Sequence, residues 1–261
     1  MSRMVHELFD LRGRVALVTG GSRGLGLQVA EALGEAGASV VLSARKQSEL
    51  DAACAILAAR GIAVRAISGD AADPTEIERI CATVLAEHER VDILFNNAGA
   101  TWGAPAEDHP LDAWDKVMNV NVRAVFLFSQ YIARHSMIPR RHGRIVMMAS
   151  VTGFRGNLAG HDTVAYNTSK AAVINMARAL AGEWGEYGIT VNALAPGWFP
   201  SRMTAATLAA KGEDMVTRVP LGRLGDNEDL KGAALLFASD AGKHITGQVL
   251  AVDGGASAVG G

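Results

Sequence analysis

Tyr166 and Lys170 stand four residues apart in Tyr166-Asn-Thr-Ser-Lys170, at the head of a strongly helical stretch. Four residues is about one helical turn, so both side chains leave the same face of the helix. A free phenol titrates near 10, too high for efficient proton transfer at neutral pH. An ammonium about 4 Å away, at an effective dielectric near 20, favours the phenolate by roughly 4 kcal/mol, or about three pKa units. The spacing therefore predicts a phenol tuned by a cation for general acid–base work. Such pairs also arise by chance on solvated helix faces, so the motifs upstream decide its weight.

The first of these is Thr19-Gly-Gly-Ser-Arg-Gly-Leu-Gly26, between a short apolar run and a helical one. Glycines here let the backbone turn sharply and approach a pyrophosphate resting on the helix N-terminus. The spacing Gly20-x-x-x-Gly24-x-Gly26 differs from the G-x-G-x-x-G fingerprint, but its place between a first strand and a first helix predicts a nucleotide site, with Ser22 and Leu25 in the turn. The second strand ends Ser43-Ala44-Arg45. A fold selective for NAD usually carries an acid there to bind the ribose hydroxyls. Arg45 instead suits a 2′-phosphate, with Arg23 as a second cation, unless both are simply solvated arginines. The expectation is a site that favours NADP(H), with NAD(H) second.

Elements that position these groups follow from the hydrophobic pattern. Continuous apolar runs occur at Val15–Val18, Ser39–Ser43, Val64–Ile67, Val91–Phe95, Arg144–Met148, Thr190–Leu194 and Gln248–Val252. Continuous rather than alternating runs suit strands buried on both faces of a parallel sheet. Between them lie helical patterns. Asp73-Pro74-Thr75-Glu76 opens one with an N-cap and Pro at the first position. Another begins near Asp112 and carries Trp114, Val117, Met118, Val125, Phe128 and Ile132 on one face, with Asn121 on that apolar stripe. The helix of Tyr166 buries Val173, Ile174, Ala177, Leu180, Ala181 and Trp184 and closes near Gly185 and Gly188. The alternation predicts an α/β fold: one doubly wound, Rossmann-type parallel sheet of about seven strands with helices on both faces, in a single domain over residues 1–261. Residues 1–12 form an N-terminal arm, and 198–222 break the rhythm as an excursion over the site.

Bulk properties exclude several classes. A net charge of −2 gives no basic field for nucleic acid. No apolar run reaches the length of a membrane span, and Met1–Asp10 lacks the apolar core of a secretory leader. Cys54 and Cys81 fall in helical patterns without metal-ligand spacing and read as small core residues. No metal is expected, and the setting is a reducing cytoplasm.

Gly20-x-x-x-Gly24-x-Gly26, Asn96-Asn-Ala-Gly99, Ser150, Tyr166-x-x-x-Lys170 and Pro196-Gly197 occur in the order seen in the short-chain dehydrogenase/reductase family, and the chain resembles its short, single-domain branch from about Arg12 to Gly255. Within it, the chain is similar to 3-oxoacyl-carrier-protein reductases and to gluconate 5-dehydrogenase-like members. The resemblance implies hydride transfer between the dinucleotide and a ketone or secondary alcohol. It implies Tyr166 as general acid, Lys170 as the cation that lowers the phenol pKa and holds the nicotinamide ribose, and Ser150 as donor to the reacting oxygen. Asn121 would anchor a water beside Lys170. Asp70 and Ala71 would meet the adenine. Asn96, Asn97, Ala98 and Gly99 would line the adenosine ribose and pyrophosphate side. Pro196, Gly197, Phe199 and Ser201 would flank the nicotinamide amide and pyrophosphate. A homo-oligomer, tetramer or dimer, is implied as well.

Ser150 precedes Tyr166 by sixteen positions, about three more than is usual in the family. The longer loop, 153–164, should border the substrate and bring Asn157, His161 and Asp162 near it, with Thr152 as the nearest alternative hydroxyl. Thr101, Trp102 and Trp198 complete the expected substrate wall. Its apolar members fit a 3-oxoacyl thioester, whereas Arg155, His161 and Arg202 would suit the carboxylate of a sugar acid. A non-catalytic NADP(H) sensor is the rival from another class, and a sugar-nucleotide epimerase would need a C-terminal substrate domain.

Overall fold

The seven apolar runs pair into one sheet in the computed structural model, which describes residues 3–157 and 160–259. The strands are β1 (Val15–Thr19), β2 (Ser39–Ala44), β3 (Val64–Ser68), β4 (Ile93–Asn96), β5 (Gly143–Met148), β6 (Ile189–Pro196) and β7 (Val249–Val252). Their order is β3-β2-β1-β4-β5-β6-β7, and every neighbouring pair is parallel. The chain steps outward from β1 to β2 and β3, then returns to lay β4 on the other side of β1. Strand order reverses at that point, and a crevice opens beyond the carboxyl ends of β1 and β4.

Helices cover both faces because strand side chains alternate. On one face Leu17, Val41, Leu94, Ile145 and Val191 pack against α4 (Pro74–His88), α6 (Ala124–Ile132) and α8 (Val164–Trp184), which contribute Ile80, Val84, Phe128, Ile132, Val173 and Ala177. On the other, Val18, Val40, Leu42, Phe95 and Val146 meet α2 (Gly24–Glu35), α3 (Gln47–Ala59) and α10 (Lys231–Ala238), which contribute Val29, Leu33, Leu50, Leu57 and Phe237. Each fully buried Leu or Phe in these layers stabilises the fold by roughly 1.5–3 kcal/mol. Asp73 caps α4 by accepting from Thr75 N at 2.8 Å, with Pro74 at the first helical position.

Three regions carry detail that the hydrophobic pattern does not report. The helix expected from Asp112 is interrupted: α5 (Leu111–Met118) passes through a π-helical turn, Asn119–Arg123, into α6, and a second such turn, Ala133–Met137, leads to α7 (Ile138–Arg140). A π turn takes an i→i+5 bond, here from Ala124 N to Asn119 O, and such turns concentrate at functional sites. Asn121 lies within it. Second, the excursion over 198–222 contains α9 (Ala205–Thr217), whose Met215 is buried. Third, the chain leaves α8 through Gly185 in right-handed conformation and reverses at Gly188, φ +69°, where a Cβ would strike Arg141 O at 2.6 Å.

The N-terminal arm holds α1 (Val5–Leu8) and is pinned by buried Leu11 and an Arg3–Asp240 ion pair of 2.7 Å. Asp92 is buried at the opposite end of the sheet from the crevice, where it accepts from Val15 N at 2.9 Å and pairs with Arg140. No helix among the described residues is long and apolar enough to cross a membrane, and none of their His, Cys, Asp and Glu side chains cluster as a metal site would require.

Candidate active site

The Gly-rich turn is built by backbone contacts that leave no space for side chains. Ser43 O accepts from Gly20 N at 2.7 Å and Gly21 N at 3.3 Å, which draws the turn over the end of β2. Gly20 has φ +64°, and a Cβ there would meet the Ala98 Cα at 2.8 Å. A Cβ on Gly26 would strike Gly20 O and Asn97 Nδ2. Asn97 laces the two loops at the crevice: its Nδ2 donates to Thr19 O at 3.1 Å and to Gly20 O at 2.9 Å, while Thr19 Oγ1 accepts from Asn97 N and Ala98 N. Beyond exposed Gly24, with Ser22 and Leu25 part-buried beside it, α2 begins without a side-chain cap. Its first N–H groups are therefore left for an anion.

The residues around this turn divide into two sets. Arg45 is exposed at the end of β2 and makes no ion pair with the described residues. Arg23 is not free: its Nη1 donates to both Glu49 carboxylate oxygens at 2.7 Å. Asp70 bends back on its own loop, accepting from Ala72 N at 2.9 Å, with Ala71 part-buried beside it. Asn96 turns inward: it is 1% exposed, and its Nδ2 donates to Ser129 Oγ of α6 at 3.0 Å. Phe199 is likewise 3% exposed, packed on Gly225 in the core. These two side chains face the interior, so only their backbones are placed to face a ligand. Pro196 ends β6, and Gly197 N donates to Val252 O at 3.0 Å where a Cβ would strike Asp253. Ser201 is held in a turn by Thr204, whose hydroxyl lies 3.0 Å from Ser201 Oγ and donates to Phe199 O at 2.7 Å.

Tyr166, Lys170, Ser150 and Asn121 meet beside the same crevice. Strand β5 ends at Met148, and Ser150 begins the following turn. Ser150 Oγ accepts from Thr152 Oγ1 at 3.0 Å and Thr152 N at 3.2 Å, and it also hydrogen-bonds the Tyr166 phenol. Lys170 is buried, and its Nζ donates to Met148 O at 2.7 Å. A Cβ on Gly99 would lie 3.5 Å from Asn121 Oδ1 and 3.8 Å from Lys170 Nζ, so the loop after β4 borders both. Asn121 is fully buried and satisfied within the protein. Its Oδ1 accepts from Ala100 N at 2.7 Å, and its Nδ2 donates to Ala100 O and Ser169 Oγ at 2.9 Å each.

Burial bears on both members of the pair. Lys170 Nζ stands 5.5 Å from the Tyr166 ring centroid, and burial pushes the phenol above its ordinary 10, with the Ser150 hydrogen bond pulling weakly the other way. Desolvation acts on the lysine too and brings it down to about 8. In the protein alone the phenol keeps its proton at neutral pH.

The expected substrate residues lie on the loops that follow β4, β5 and β6. Thr101 and Trp102 are exposed, Trp198 is part-buried, and Ala104 N donates to Asp162 O at 2.9 Å, joining the first two loops. A cavity of about 540 Å³ is lined by Thr152, Phe154, Arg155, Asn157, His161 and Asn167 among others, on the side of α8 next to the one that carries Tyr166. Asn157 closes the long loop on itself, donating to His161 O at 3.1 Å and Thr163 Oγ1 at 2.9 Å. Part of that loop, Leu158 and Ala159, lies outside the described residues. Sequence reasoning missed Thr19, Ser169, Thr204 and Glu49. The first three are hydroxyls flanking motifs already marked, and that adjacency was their signal.

Comparison with known proteins places this geometry. A family model described as Enoyl-(Acyl carrier protein) reductase matches residues 20–257. Gluconate 5-dehydrogenase of Gluconobacter oxydans is 40% identical over 251 residues, covering 95% of this chain and 96% of the relative. The rhamnolipids biosynthesis 3-oxoacyl-[acyl-carrier-protein] reductase of Pseudomonas aeruginosa is 40% identical over 260 residues, covering 96% and 99%. A crystal structure of a gluconate 5-dehydrogenase from Burkholderia cenocepacia, in complex with NADP and tartrate, superimposes with a TM-score of 0.92 at 35% identity, covering 98% of this chain and all of that one.

Proposed function

The chain belongs to the short-chain dehydrogenase/reductase family, and we propose that it moves a hydride between NADP(H) and a ketone or secondary alcohol, with Tyr166 as proton donor and acceptor. The observation that carries this reading is the convergence of Ser150, Tyr166 and Lys170 beside Gly99, at the carboxyl ends of β4 and β5.

The residues present fit the dinucleotide. Gly20, Gly24 and Gly26 form a cradle whose two contact glycines have no room for a Cβ, and the uncapped start of α2 suits the pyrophosphate. Ser22, Arg23, Leu25 and Ser43 shape that turn, and exposed Arg45 meets the 2′-phosphate. Asp70 and Ala71 border the adenine, the backbone of Asn96 to Gly99 borders the ribose, and Pro196, Gly197, Phe199 and Ser201 present backbone to the nicotinamide side. Bound there, the nicotinamide supplies or takes up the hydride.

The protein handles the proton. Tyr166 carries it at neutral pH and delivers it to the carbonyl oxygen during reduction. Ser150 already accepts from Thr152, so its own hydrogen is directed toward the Tyr166 phenol, beside which the reacting oxygen would sit. Lys170 holds the ribose and, with its pKa near 8, is a group able to pass a proton onward. Asn121 fixes the Ala100 loop against α8 through Ser169 and, with a water, extends the proton path.

For the substrate, we propose a 3-oxoacyl thioester or related carbonyl. Exposed Trp102, Phe154 and Met203, on the segments that follow β4, β5 and β6, support an apolar wall. The cavity that Arg155, Asn157 and His161 help to line favours a second reading, a sugar acid held by its carboxylate and hydroxyls. NADPH consumption with acetoacetyl-CoA, 5-ketogluconate and simple ketones tests both. Turnover of the thioester above the others is the expected result. Tight NADPH binding with no turnover of any carbonyl would leave the sensor reading instead. The family resemblance also proposes a homo-oligomer, tetramer or dimer, in the cytoplasm, supported by exposed Leu111, Phe126 and Leu250. Light scattering checks the assembly.

A further inference from the structure

We propose that Glu49 is a counter-ion that competes with the 2′-phosphate of NADP for the cations at the adenosine end of the crevice, and so limits the preference for NADP over NAD. The inference rests on the NADP reading above. Glu49 lies in the first turn of α3, directly after the β2 terminus that carries Arg45. Its carboxylate gathers three cations from three parts of the chain. Arg23 of the Gly-rich turn donates from Nη1 at 2.7 Å to each oxygen. Lys46 Nζ stands 3.5 Å away, and Arg202 Nη1, from the segment after β6, stands 3.6 Å away. Arg45 remains without an ion pair among the described residues.

One carboxylate among four cations leaves a surplus of positive charge beside the place where an adenosine ribose would rest. A ribose phosphate carries about two negative charges near neutral pH. Brought close to Arg23, it must either share the guanidinium with Glu49 or expel it, because like charges within a few ångströms repel. A guanidinium presents a fork that one carboxylate or one phosphate can occupy two-pronged, and Nη1 is already committed to Glu49. NAD(H), whose 2′-hydroxyl is neutral, meets neither the repulsion nor the competition. Glu49 therefore weakens the phosphorylated cofactor selectively. The cations are half-exposed or more, so each pair is worth little and solvent screens it. A modest effect is expected.

The test is direct binding, without turnover. NADPH, NADH and adenosine 2′,5′-bisphosphate are titrated by calorimetry into the full-length protein and its Glu49→Gln variant, with circular dichroism to confirm folding. The partly exposed helix position tolerates Gln, a good helix former. The variant should bind NADPH and the bisphosphate about three- to tenfold more tightly, and NADH within about twofold of the parent. The gain should shrink as salt rises from 50 to 500 mM, since the interaction is screened. Unchanged or weaker NADPH binding, or an equal gain for NADH, would overturn the role of Glu49 while leaving the NADP reading intact. A parent protein that binds NADH at least as tightly as NADPH would overturn both.

Discussion

Lys170 Nζ donates to the main-chain oxygen of Met148 at 2.7 Å, which ties the ammonium of α8 to the last residue of β5. The contact holds the cation under the crevice while the protein around it strips away water. The charged form is disfavoured by that desolvation, and the lysine titrates near 8 rather than 10.5.

That arrangement makes Lys170 a cost to stability at neutral pH. Below about pH 8 the lysine is protonated in both folded and unfolded chains, and the burial penalty is fully present. Between about 8 and 10.5 the unfolded chain binds more protons than the folded one, so stability rises with pH through that window. Lys170→Met should raise unfolding stability at pH 7 by up to about 3 kcal/mol, flatten the rise above pH 8 and abolish turnover. Urea midpoints for parent and variant from pH 6 to 10.5 check it. A variant less stable than its parent at pH 7 would show that the bond to Met148 outweighs the desolvation.

Tyr166 should titrate above 10 in the protein without ligand, because burial outweighs its hydrogen bond to Ser150. Difference absorbance at 295 nm between parent and Tyr166→Phe isolates this phenol. The same variant should lose about 10²–10⁴ in kcat for ketone reduction, the usual worth of a positioned acid, and keep its NADPH affinity within a factor of two or so. A phenol that ionises near pH 7 in the free protein would show that the Lys170 charge outweighs burial.

The strands were legible in the sequence because a strand buried on both faces needs an unbroken apolar run, and a run as short as Val15–Val18, closed by glycines, suits a central strand better than a helix. That Tyr166 and Lys170 share a helix face was legible for a similar reason: their four-residue spacing survives any packing of the helix. What depended on three-dimensional neighbours was not. Burial raises the Tyr166 pKa, and no spacing reports burial. Phe199 looks like a ligand contact from its place after Pro196-Gly197, yet its ring fills the gap over Gly225. Arg23 and Glu49 are 26 residues apart, joined only because β1 and β2 are paired and parallel. The π turn that carries Asn121 inserts into a pattern that reads as continuous helix.

His142 gives the fold a sensitivity to acid far from the crevice. The ring lies 3.0 Å from Arg14 Nη1. Burial first, then the positive charges of Arg144 and Arg14, bring its pKa down to about 4, against the raising influence of Asp92 and Asp240. The folded chain therefore holds His142 neutral while the unfolded chain protonates it near 6.5. Stability from this residue is present above about 6.5 and declines as pH falls toward 4. His142→Gln should flatten the loss of stability between those values without altering NADPH binding at pH 7. Thermal melts across that range read it, and an unchanged slope would assign the acid sensitivity to other groups.

Thr152 is placed to fix the direction of the Ser150 hydroxyl rather than to touch a ligand itself. It supplies two donors to the same oxygen, Oγ1 at 3.0 Å and backbone N at 3.2 Å. With its acceptor sites so engaged, the hydrogen of Ser150 is directed elsewhere, and the Tyr166 phenol is its neighbour. Thr152→Val keeps the β-branched shape and the backbone donor but deletes the hydroxyl. The serine then regains a rotational choice, and kcat should fall about three- to tenfold with KM changed less than twofold, the pattern of an interaction made mainly in the transition state. Thr152→Ser, which restores the hydroxyl, should recover most of the rate. Ser150→Ala should cost more, about 10²–10³ in kcat, because it removes a donor to the developing oxyanion outright. A Thr152→Val enzyme with parental kcat and raised KM would instead place Thr152 in contact with the substrate, as the cavity it borders would allow.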